Sequence, residues 1–235
     1  MKWSEFFTSS IGKKFVMSLT GLFLIAFLIV HASINACIFA DLPVFDANDN
    51  GEIFNKAAHF MGATILIRIL EYGLFLFFIL HIYQGYLLTV QNKSKRSVGY
   101  AVNLGNRGSK WYSRSMALLG TLILLFLVLH LGHFWVKARF LHNLAPVTYN
   151  GVEMHDMFAE MKMVFAQPWV VIVYVLGCIS LAYHLAHGFQ SAFRTLGVHN
   201  NRYNIILTSF GYGFAIIVPL VFALMPIAMY LGWVA

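Results

Sequence analysis

Charged residues are scarce in this chain. They make up 11% of its 235 residues, whereas hydrophobic residues make up 60%. Water-soluble domains carry about 25% charged residues. The composition therefore excludes an ordinary soluble enzyme and predicts an integral membrane protein.

Cysteine is almost absent as well, since Cys37 and Cys178 are the only two. An iron–sulfur cluster takes about four thiolate ligands, so two cysteines exclude one. Neither cysteine belongs to a C-x-x-C-H motif, which excludes covalent attachment of haem.

Five apolar runs are long enough to cross a bilayer, whose hydrocarbon core of about 30 Å needs roughly 18 or more apolar residues. The first run is too long, and too similar to the later ones, for a cleaved signal peptide. The sequence predicts an all-α protein, an integral membrane bundle of five transmembrane helices in a single domain over 1–235. The helices are expected at about 14–39, 61–90, 114–137, 168–193 and 205–233.

The basic residues are divided unevenly between the two sides of this topology. Eleven lie on the side of the amino terminus, which includes the 92–113 and 194–204 connections, and four lie on the other side. By the positive-inside rule the amino terminus is cytoplasmic. Topology accounts for most of the net charge of +7, so we predict no nucleic-acid partner. A basic cytoplasmic face that receives an acidic partner is the less favoured explanation of the charge.

Two connections are expected on the outer side. The 41–58 segment is acidic and rich in turn residues, which is typical of a loop. The 138–167 segment is the longest connection, with a short helix expected around 153–163. In the last run Pro219 and Pro226 are expected to kink the helix.

Histidines recur inside four of the five apolar runs, and the fifth run has none. Ionisable residues inside a membrane are costly and usually functional. The histidines are His31, His81, the pair His130 and His133, and the pair His184 and His187.

Glycine spacing singles out one histidine in each run. In the first and third runs a glycine stands ten residues before the histidine, and in the second and fourth runs a glycine stands four residues after it. The resulting combinations are Gly21 with His31, His81 with Gly85, Gly120 with His130, and His184 with Gly188. This weak repeat selects His130 over His133 and His184 over His187.

The four selected histidines sort into two pairs by their depth in the membrane. At about 1.5 Å of rise per residue, His31 and His130 both lie near the outer ends of their helices. His81 and His184 both lie near the inner ends. We therefore expect an outer pair, His31 with His130, and an inner pair, His81 with His184.

Each pair is suited to haem. Two neutral imidazoles at one level bind a flat iron macrocycle through its two axial positions. A glycine one turn from the ligand, as at Gly85 and Gly188, leaves room for the macrocycle edge. His133 and His187 are interpreted as neighbours of the ligands or as contacts of a haem propionate.

Arg68 and Glu71 are charged residues inside the second apolar run, where charge is usually functional. Their i, i+3 spacing places them close enough to pair, and we expect Arg68 to contact a haem propionate or a quinone oxygen. An ion pair between helices is an equally favoured alternative. His59, at the mouth of the same run, is a further candidate for quinone contact.

These residues resemble the cytochrome b membrane anchor of succinate:quinone oxidoreductases, in the five-helix, two-haem type of succinate dehydrogenase and fumarate reductase. The resemblance runs from end to end of the chain. It is carried by LIVHASIN around His31, FNKAAHFM before helix 2, RILE at Arg68, LHIYQGYLLT around His81, LVLHLGHFW around His130 and YHLAHGFQSAFRTLG around His184.

The resemblance implies two haems b, with His31 and His130 as ligands of the distal iron and His81 and His184 as ligands of the proximal iron. It implies a flavoprotein subunit and an iron–sulfur subunit on the cytoplasmic face. Electrons would pass between the iron–sulfur subunit and membrane quinone, expected to be menaquinone, in a bacterial inner membrane.

Other readings of the sequence stay open. One is a dihaem cytochrome b anchor of another quinone-linked oxidoreductase, and another is a transporter with a histidine relay for protons. The direction of turnover, the proton pathway and the oligomeric state of the complex are not decided by the sequence.

Overall fold

The computed structural model describes residues 3–46, 48–94, 110–198 and 200–234. The protein is 82% helical, and within the described ranges five helices are long and apolar enough to span a membrane. These findings confirm the all-α class and the multi-pass membrane character. The cytoplasmic placement of the amino terminus stays a prediction, and four residues on which it rests, Lys2, Lys95, Arg96 and Arg107, lie outside the described ranges.

The described elements follow one another as nine α-helices and one β-hairpin, with short 3₁₀ and π-helical stretches. They are α1 (Trp3–Thr8), α2 (Ser10–Ala36) continued by a 3₁₀ turn (Cys37–Asp41), α3 (Glu52–Ala63), α4 (Ile65–Ser94), α5 (Trp111–Arg114), α6 (Met116–His130) continued by π-helical stretches (Leu131–Trp135 and Lys137–Leu141), β1 (Pro146–Tyr149), β2 (Val152–His155), α7 (Met157–Phe165), α8 (Pro168–Thr195) and α9 (Asn201–Tyr230).

The long helices differ from the predicted spans mainly at their ends. α2 begins at Ser10, four residues earlier than expected, because Ser9 caps it: the Ser9 hydroxyl accepts a hydrogen bond from the backbone N–H of Gly12 (3.0 Å). α8 and α9 end within three residues of the predicted positions. Both expected prolines, Pro219 and Pro226, lie inside α9, and the kink itself stays a prediction.

The second predicted helix is wrong at its outer end, because a break at Thr64 separates α3 from α4. Thr64 has extended backbone angles (φ −76°, ψ 122°), and its hydroxyl donates to the carbonyl of Phe60 (2.7 Å). Such side-chain bonding competes with helix continuation. Residues 61–63 therefore belong to α3, and much of the segment expected as the 41–58 loop is helical.

The connection between the third and fourth spans also holds more structure than predicted. Pro146–Tyr149 and Val152–His155 form an antiparallel hairpin, which the sequence analysis missed. The expected helix begins at Met157 rather than at 153, because the Asp156 carboxylate caps it by accepting from the N–H of Ala159 (2.9 Å).

The chain divides into two compact units, each assembled from three separate segments. Unit 1 consists of Met1–Phe27, Tyr72–Thr121 and Ser180–Ile216. Aromatic side chains pack inside it: the rings of Phe23 and Phe77 stack with centroids 4.3 Å apart. The single-domain description of 1–235 stays a prediction.

Unit 2 consists of Leu28–Glu71, Leu122–Ile179 and Ile217–Ala235. It contains a buried apolar cluster that draws on the 3₁₀ turn, α3, α7, α8 and α9. Asn55 is fully buried beside this cluster and ties α3 to the hairpin and to α7. Its amide oxygen accepts from the N–H of Phe158 (3.0 Å), and its amide nitrogen donates to Asp156 (2.9 Å) and to Tyr149 (3.3 Å).

Candidate functional site

In unit 1 the structure brings together His81 of α4 and His184 of α8. Their ring centroids are 6.2 Å apart, and the ring planes are inclined by 63°. These are the two histidines that the depth argument assigned to the inner pair. Each comes from a different membrane-spanning helix, so the packing of α4 and α8 sets their separation.

The orientation of His81 is set by Thr20 of α2. The Thr20 hydroxyl lies 3.2 Å from Nδ1 of His81, and its own hydrogen is directed to the carbonyl of Val16 (2.9 Å). The hydroxyl oxygen is thus left to accept, which makes Nδ1 of His81 the protonated nitrogen. Nε2 then carries the free lone pair, as in the tautomer of a metal-ligating histidine.

Two glycines lie against the imidazoles of this pair. A Cβ atom on Gly21 would be 3.4 Å from Cε1 of His81, and one on Gly120 would be 3.8 Å from Cε1 of His184. The glycines ten residues before His31 and His130 therefore contact the imidazoles of the other pair. The ten-residue spacing drew attention to Gly21 and Gly120, but it did not show that they contact the imidazoles of the other pair.

The glycines expected to leave room for a macrocycle edge behave differently from each other. At Gly188 nothing would lie within 4 Å of an added Cβ atom, as the prediction requires. At Gly85 an added Cβ atom would lie 3.1 Å from the methyl group of Met17. The space beside Gly85 is thus taken up by the end of the Met17 side chain, and the role expected for Gly85 stays a prediction.

In unit 2 the structure brings together His31 of α2 and His130 at the end of α6. Their ring centroids are 5.7 Å apart and their planes are inclined by 89°. Nδ1 of His31 lies 3.3 Å from the amide nitrogen of Asn35, which also donates to the His31 carbonyl (2.8 Å). Phe222 also contacts His31, with ring centroids 5.6 Å apart.

His130 is surrounded by aromatic rings. Phe126 stacks on it at 5.6 Å and 27°, and Tyr174 lies at 6.0 Å. Phe126 in turn packs over Gly177 of α8, where an added Cβ atom would come within 2.7 Å of the phenyl ring. Gly177 must therefore lack a side chain so that the phenyl ring of Phe126, which stacks on His130, can pack against α8.

His133 and His187, which the glycine spacing did not select, have contacts of their own. Nδ1 of His133 is hydrogen-bonded to the Tyr174 hydroxyl (2.9 Å). His187 lines a cavity of about 350 Å³ in unit 1 together with Lys14, Gln190 and Arg194. Its surroundings are cationic and suited to an anionic group such as a carboxylate.

The centroid separations of the two pairs, 5.7 and 6.2 Å, are compatible with two imidazoles that hold one metal ion between them. With metal–nitrogen bonds of about 2 Å, two imidazoles on opposite sides of a metal have ring centroids on the order of 6 Å apart. Each ring plane contains the axis through the metal, so any angle between the two planes is compatible with it.

The buried nitrogens support a bound group at each pair. Nδ1 of His130 and Nδ1 of His184 are both buried and find no hydrogen-bond partner among the described residues. Buried polar atoms are normally satisfied, so these two nitrogens are exceptions within the described chain. Among the same residues no three His, Cys, Asp or Glu side chains converge on one point.

The expected pairing of Arg68 with Glu71 is wrong. Glu71 is instead held by the third span: Oε2 accepts from Arg139 (2.9 Å) and Oε1 from the indole N–H of Trp135 (2.5 Å). Nε of Arg68 donates to the carbonyl of Gly62 (3.2 Å). The alternative, an ion pair between helices, is the arrangement found for Glu71.

Arg139 and Trp135 were missed because the stretch that carries them is π-helical. Sequence periodicity assumes 3.6 residues per turn, and a π-helical turn changes which side chains share a face. The available signal was Arg139 itself, a basic residue at the outer end of an apolar run. His59 lies exposed on α3, and no polar contact in the described chain joins it to Arg68 or Glu71.

Comparison of the chain with models of protein families, with curated proteins and with solved structures finds no match in any of the three.

Proposed function

We propose that this protein is the dihaem cytochrome b membrane anchor of a respiratory complex II, a succinate dehydrogenase or fumarate reductase, in a bacterial inner membrane. In this role it carries electrons between an iron–sulfur subunit and membrane quinone. The observation that carries the proposal is the adjacency of His31 with His130 and of His81 with His184, at 5.7 and 6.2 Å between centroids.

The chain's own residues position the two sites. His31 with His130, and His81 with His184, would hold one haem b each, and haem ligated at both axial positions supplies one-electron redox chemistry. Thr20 fixes the tautomer of His81 through a hydrogen bond of 3.2 Å. An imidazole from each histidine of a pair on the iron would leave no ligand position open for oxygen.

The cavity beside His187 would bind carboxylate groups of the haem proposed at His81 and His184 in unit 1. Lys14 and Arg194 supply positive charge there, and Gln190 and His187 supply further polar atoms. Charge-assisted hydrogen bonds to carboxylate oxygens are the strong kind. These groups fit the role of propionate contact that the sequence suggested for His187.

The partners follow from the proposal. A flavoprotein subunit would carry the dicarboxylate chemistry, and an iron–sulfur subunit would deliver or receive electrons on the cytoplasmic face. Quinone, with menaquinone as the expected species, would react within the membrane. His59 and Arg68 are exposed and remain proposed quinone contacts. Glu71 is the weaker candidate, because Arg139 and Trp135 already donate to both of its oxygens.

The test is a reduced-minus-oxidised optical spectrum of the purified full chain with haem quantitation. We expect two haems b per chain with low-spin bands, and one haem after His184→Ala. His142→Ala is the control, since His142 is exposed at the end of the third span, and it should retain both haems. A well-folded preparation without haem would refute the proposal and favour a histidine-relay transporter.

A further inference from the structure

Two arginines converge on one backbone carbonyl where α3 ends. Nε of Arg68 and Nη1 of Arg139 both donate to the carbonyl of Gly62, at 3.2 and 3.3 Å. Glu71 accepts from Nη2 of Arg139 (2.9 Å). The cluster of two guanidinium groups and one carboxylate therefore keeps a net charge of +1, and the unneutralised charge belongs to Arg68.

Arg68 has N–H donors that make no hydrogen bond within the described chain. A guanidinium carries five N–H donors in a planar fork. Within the part of the chain that the structure describes, Arg68 donates only from Nε, and its two terminal nitrogens make no hydrogen bond. The side chain is also exposed. The terminal N–H groups are thus available to an external partner, and a guanidinium fork suits two oxygens of one phosphate.

The helix surface around Arg68 is apolar and uncovered. Ile65 lies one turn before Arg68 on the same face (i, i+3), and Ile69 shares the face of Ile65 (i, i+4); the two are 76% and 61% exposed. Together with Arg68 we call these two residues the Arg68 patch. Such side chains are suited to acyl chains, whereas the guanidinium is costly in hydrocarbon.

The depth of Arg68 decides which part of a lipid it meets. It is the fourth residue of the span Ile65–Ser94, about 4.5 Å of helix rise from the end. A long basic side chain at that depth extends its charged group to the level of the lipid headgroups. The cation is therefore at the level of phosphate. Ile65 lies beside it, at the end of the span, and Ile69 lies deeper, at the level of the chains.

We propose that the Arg68 patch binds an anionic phospholipid, with the phosphate on the terminal N–H groups of Arg68 beside Ile65 and the acyl chains running deeper along Ile69. The net positive charge of the cluster favours an anionic lipid over a zwitterionic one. Basic sites beside membrane helices bind acidic headgroups in this way. The site requires neither haem nor a partner subunit.

The experiment is native mass spectrometry of the delipidated full chain, titrated with phosphatidylglycerol or phosphatidylcholine of the same acyl chains. We expect preferential binding of phosphatidylglycerol and an affinity about five-fold lower in Arg68→Gln, the loss typical of one basic residue at an anionic surface. Lys162→Gln is the matched control, because it removes the same charge from an exposed position on α7. That variant should bind as the wild type does.

Several outcomes would overturn the proposal: equal affinities of wild type and Arg68→Gln, an equal loss in Lys162→Gln, or no preference for phosphatidylglycerol. Displacement of the lipid by millimolar inorganic phosphate would indicate a site for free anions instead. Arg68→Lys is the second variant, which keeps the charge and loses the fork. We expect it to bind with intermediate affinity, and an affinity no better than that of Arg68→Gln would contradict a role for the charge.

Discussion

Gly21 of α2 lies against the imidazole of His81 on α4, since a Cβ atom on Gly21 would be 3.4 Å from Cε1 of His81. That distance is ordinary for one methyl group but excludes a branched side chain. The helix that carries His31 therefore also forms one wall of the site around His81. This relationship leads to the first prediction.

Gly21→Leu should remove the haem proposed at His81 and His184 and leave the other one, because the leucine would displace the imidazole of His81. Haem quantitation should fall from two to one per chain, while Gly21→Ala keeps both. Gly73→Leu is the control, because nothing lies within 4 Å of a Cβ atom there. Loss of haem in both leucine variants would mean that the contact with His81 is not the cause.

Thr20→Val should raise the midpoint potential of the same haem without loss of haem. Valine keeps the shape of threonine but cannot accept from Nδ1 of His81, so the imidazole becomes a weaker electron donor to the iron. One net hydrogen bond is worth about 1 kcal/mol, so the shift should be tens of millivolts at most. A redox titration measures it. The same change at Thr121, whose hydroxyl bonds the Ala117 carbonyl, should leave both potentials unchanged.

His133→Gln should retain both haems, whereas His130→Gln should retain one. His133 is engaged by the Tyr174 hydroxyl at 2.9 Å, while His130 is the residue adjacent to His31. The optical spectrum and haem content of the two variants show which of the two histidines haem binding requires. The opposite pattern, with haem lost only in His133→Gln, would show that the ligand register is wrong.

Glu71→Gln and Arg139→Gln should each destabilise the protein, and the double variant should lose less than their sum. The pair is partly buried, with side-chain exposures of 21% and 25%, so we expect a coupling of about 1–2 kcal/mol. Thermal unfolding in detergent measures it. The exposed pair of Glu52 and Lys56 is the comparison, with an expected coupling of about 0.5 kcal/mol. Equal couplings in the two pairs would show that the partly buried pair of Glu71 and Arg139 stabilises the protein no more than the exposed pair does.

Asn55→Ala should loosen α3 and α7 while leaving the histidine pairs in place. The change leaves the N–H of Phe158 buried without its partner (3.0 Å), which costs about 1–3 kcal/mol. Hydrogen exchange should rise in Glu52–Ala63 and Met157–Phe165. Asn48→Ala, at an exposed position, should leave exchange unchanged. Unaltered protection in Asn55→Ala would show that α3 is held by its apolar contacts alone.

The sequence predicted the spans and the two histidine pairs because both depend on regular helix geometry. A rise of about 1.5 Å per residue is enough to match His31 with His130 and His81 with His184 by depth. The structure then places the members of each pair side by side. That both pairs bind iron is a prediction that the haem measurements test.

The parts that sequence reasoning missed depend on departures from that regularity. Thr64 breaks the second apolar run, and a hydropathy pattern gives no sign of it. Trp135 and Arg139 reach Glu71 from a π-helical stretch, where α-helical periodicity fails. Asn55 looked like part of a polar loop, but its burial depends on contacts with Asp156 and Phe158, about a hundred residues away in the chain.

The π-helical stretches Leu131–Trp135 and Lys137–Leu141 set limits on insertions and deletions in this part of the chain. One residue corresponds to a rotation of about 100° around a helix axis, so a single deletion between His130 and Arg139 would turn the arginine away from Glu71. The stacking of Phe126 on His130 lies before the deletion and would be kept, whereas the contact of His130 with Phe134 lies within the affected stretch. Variation in length should therefore be tolerated in the hairpin turn at Asn150 and Gly151 but not within this stretch, which is the end of the third span.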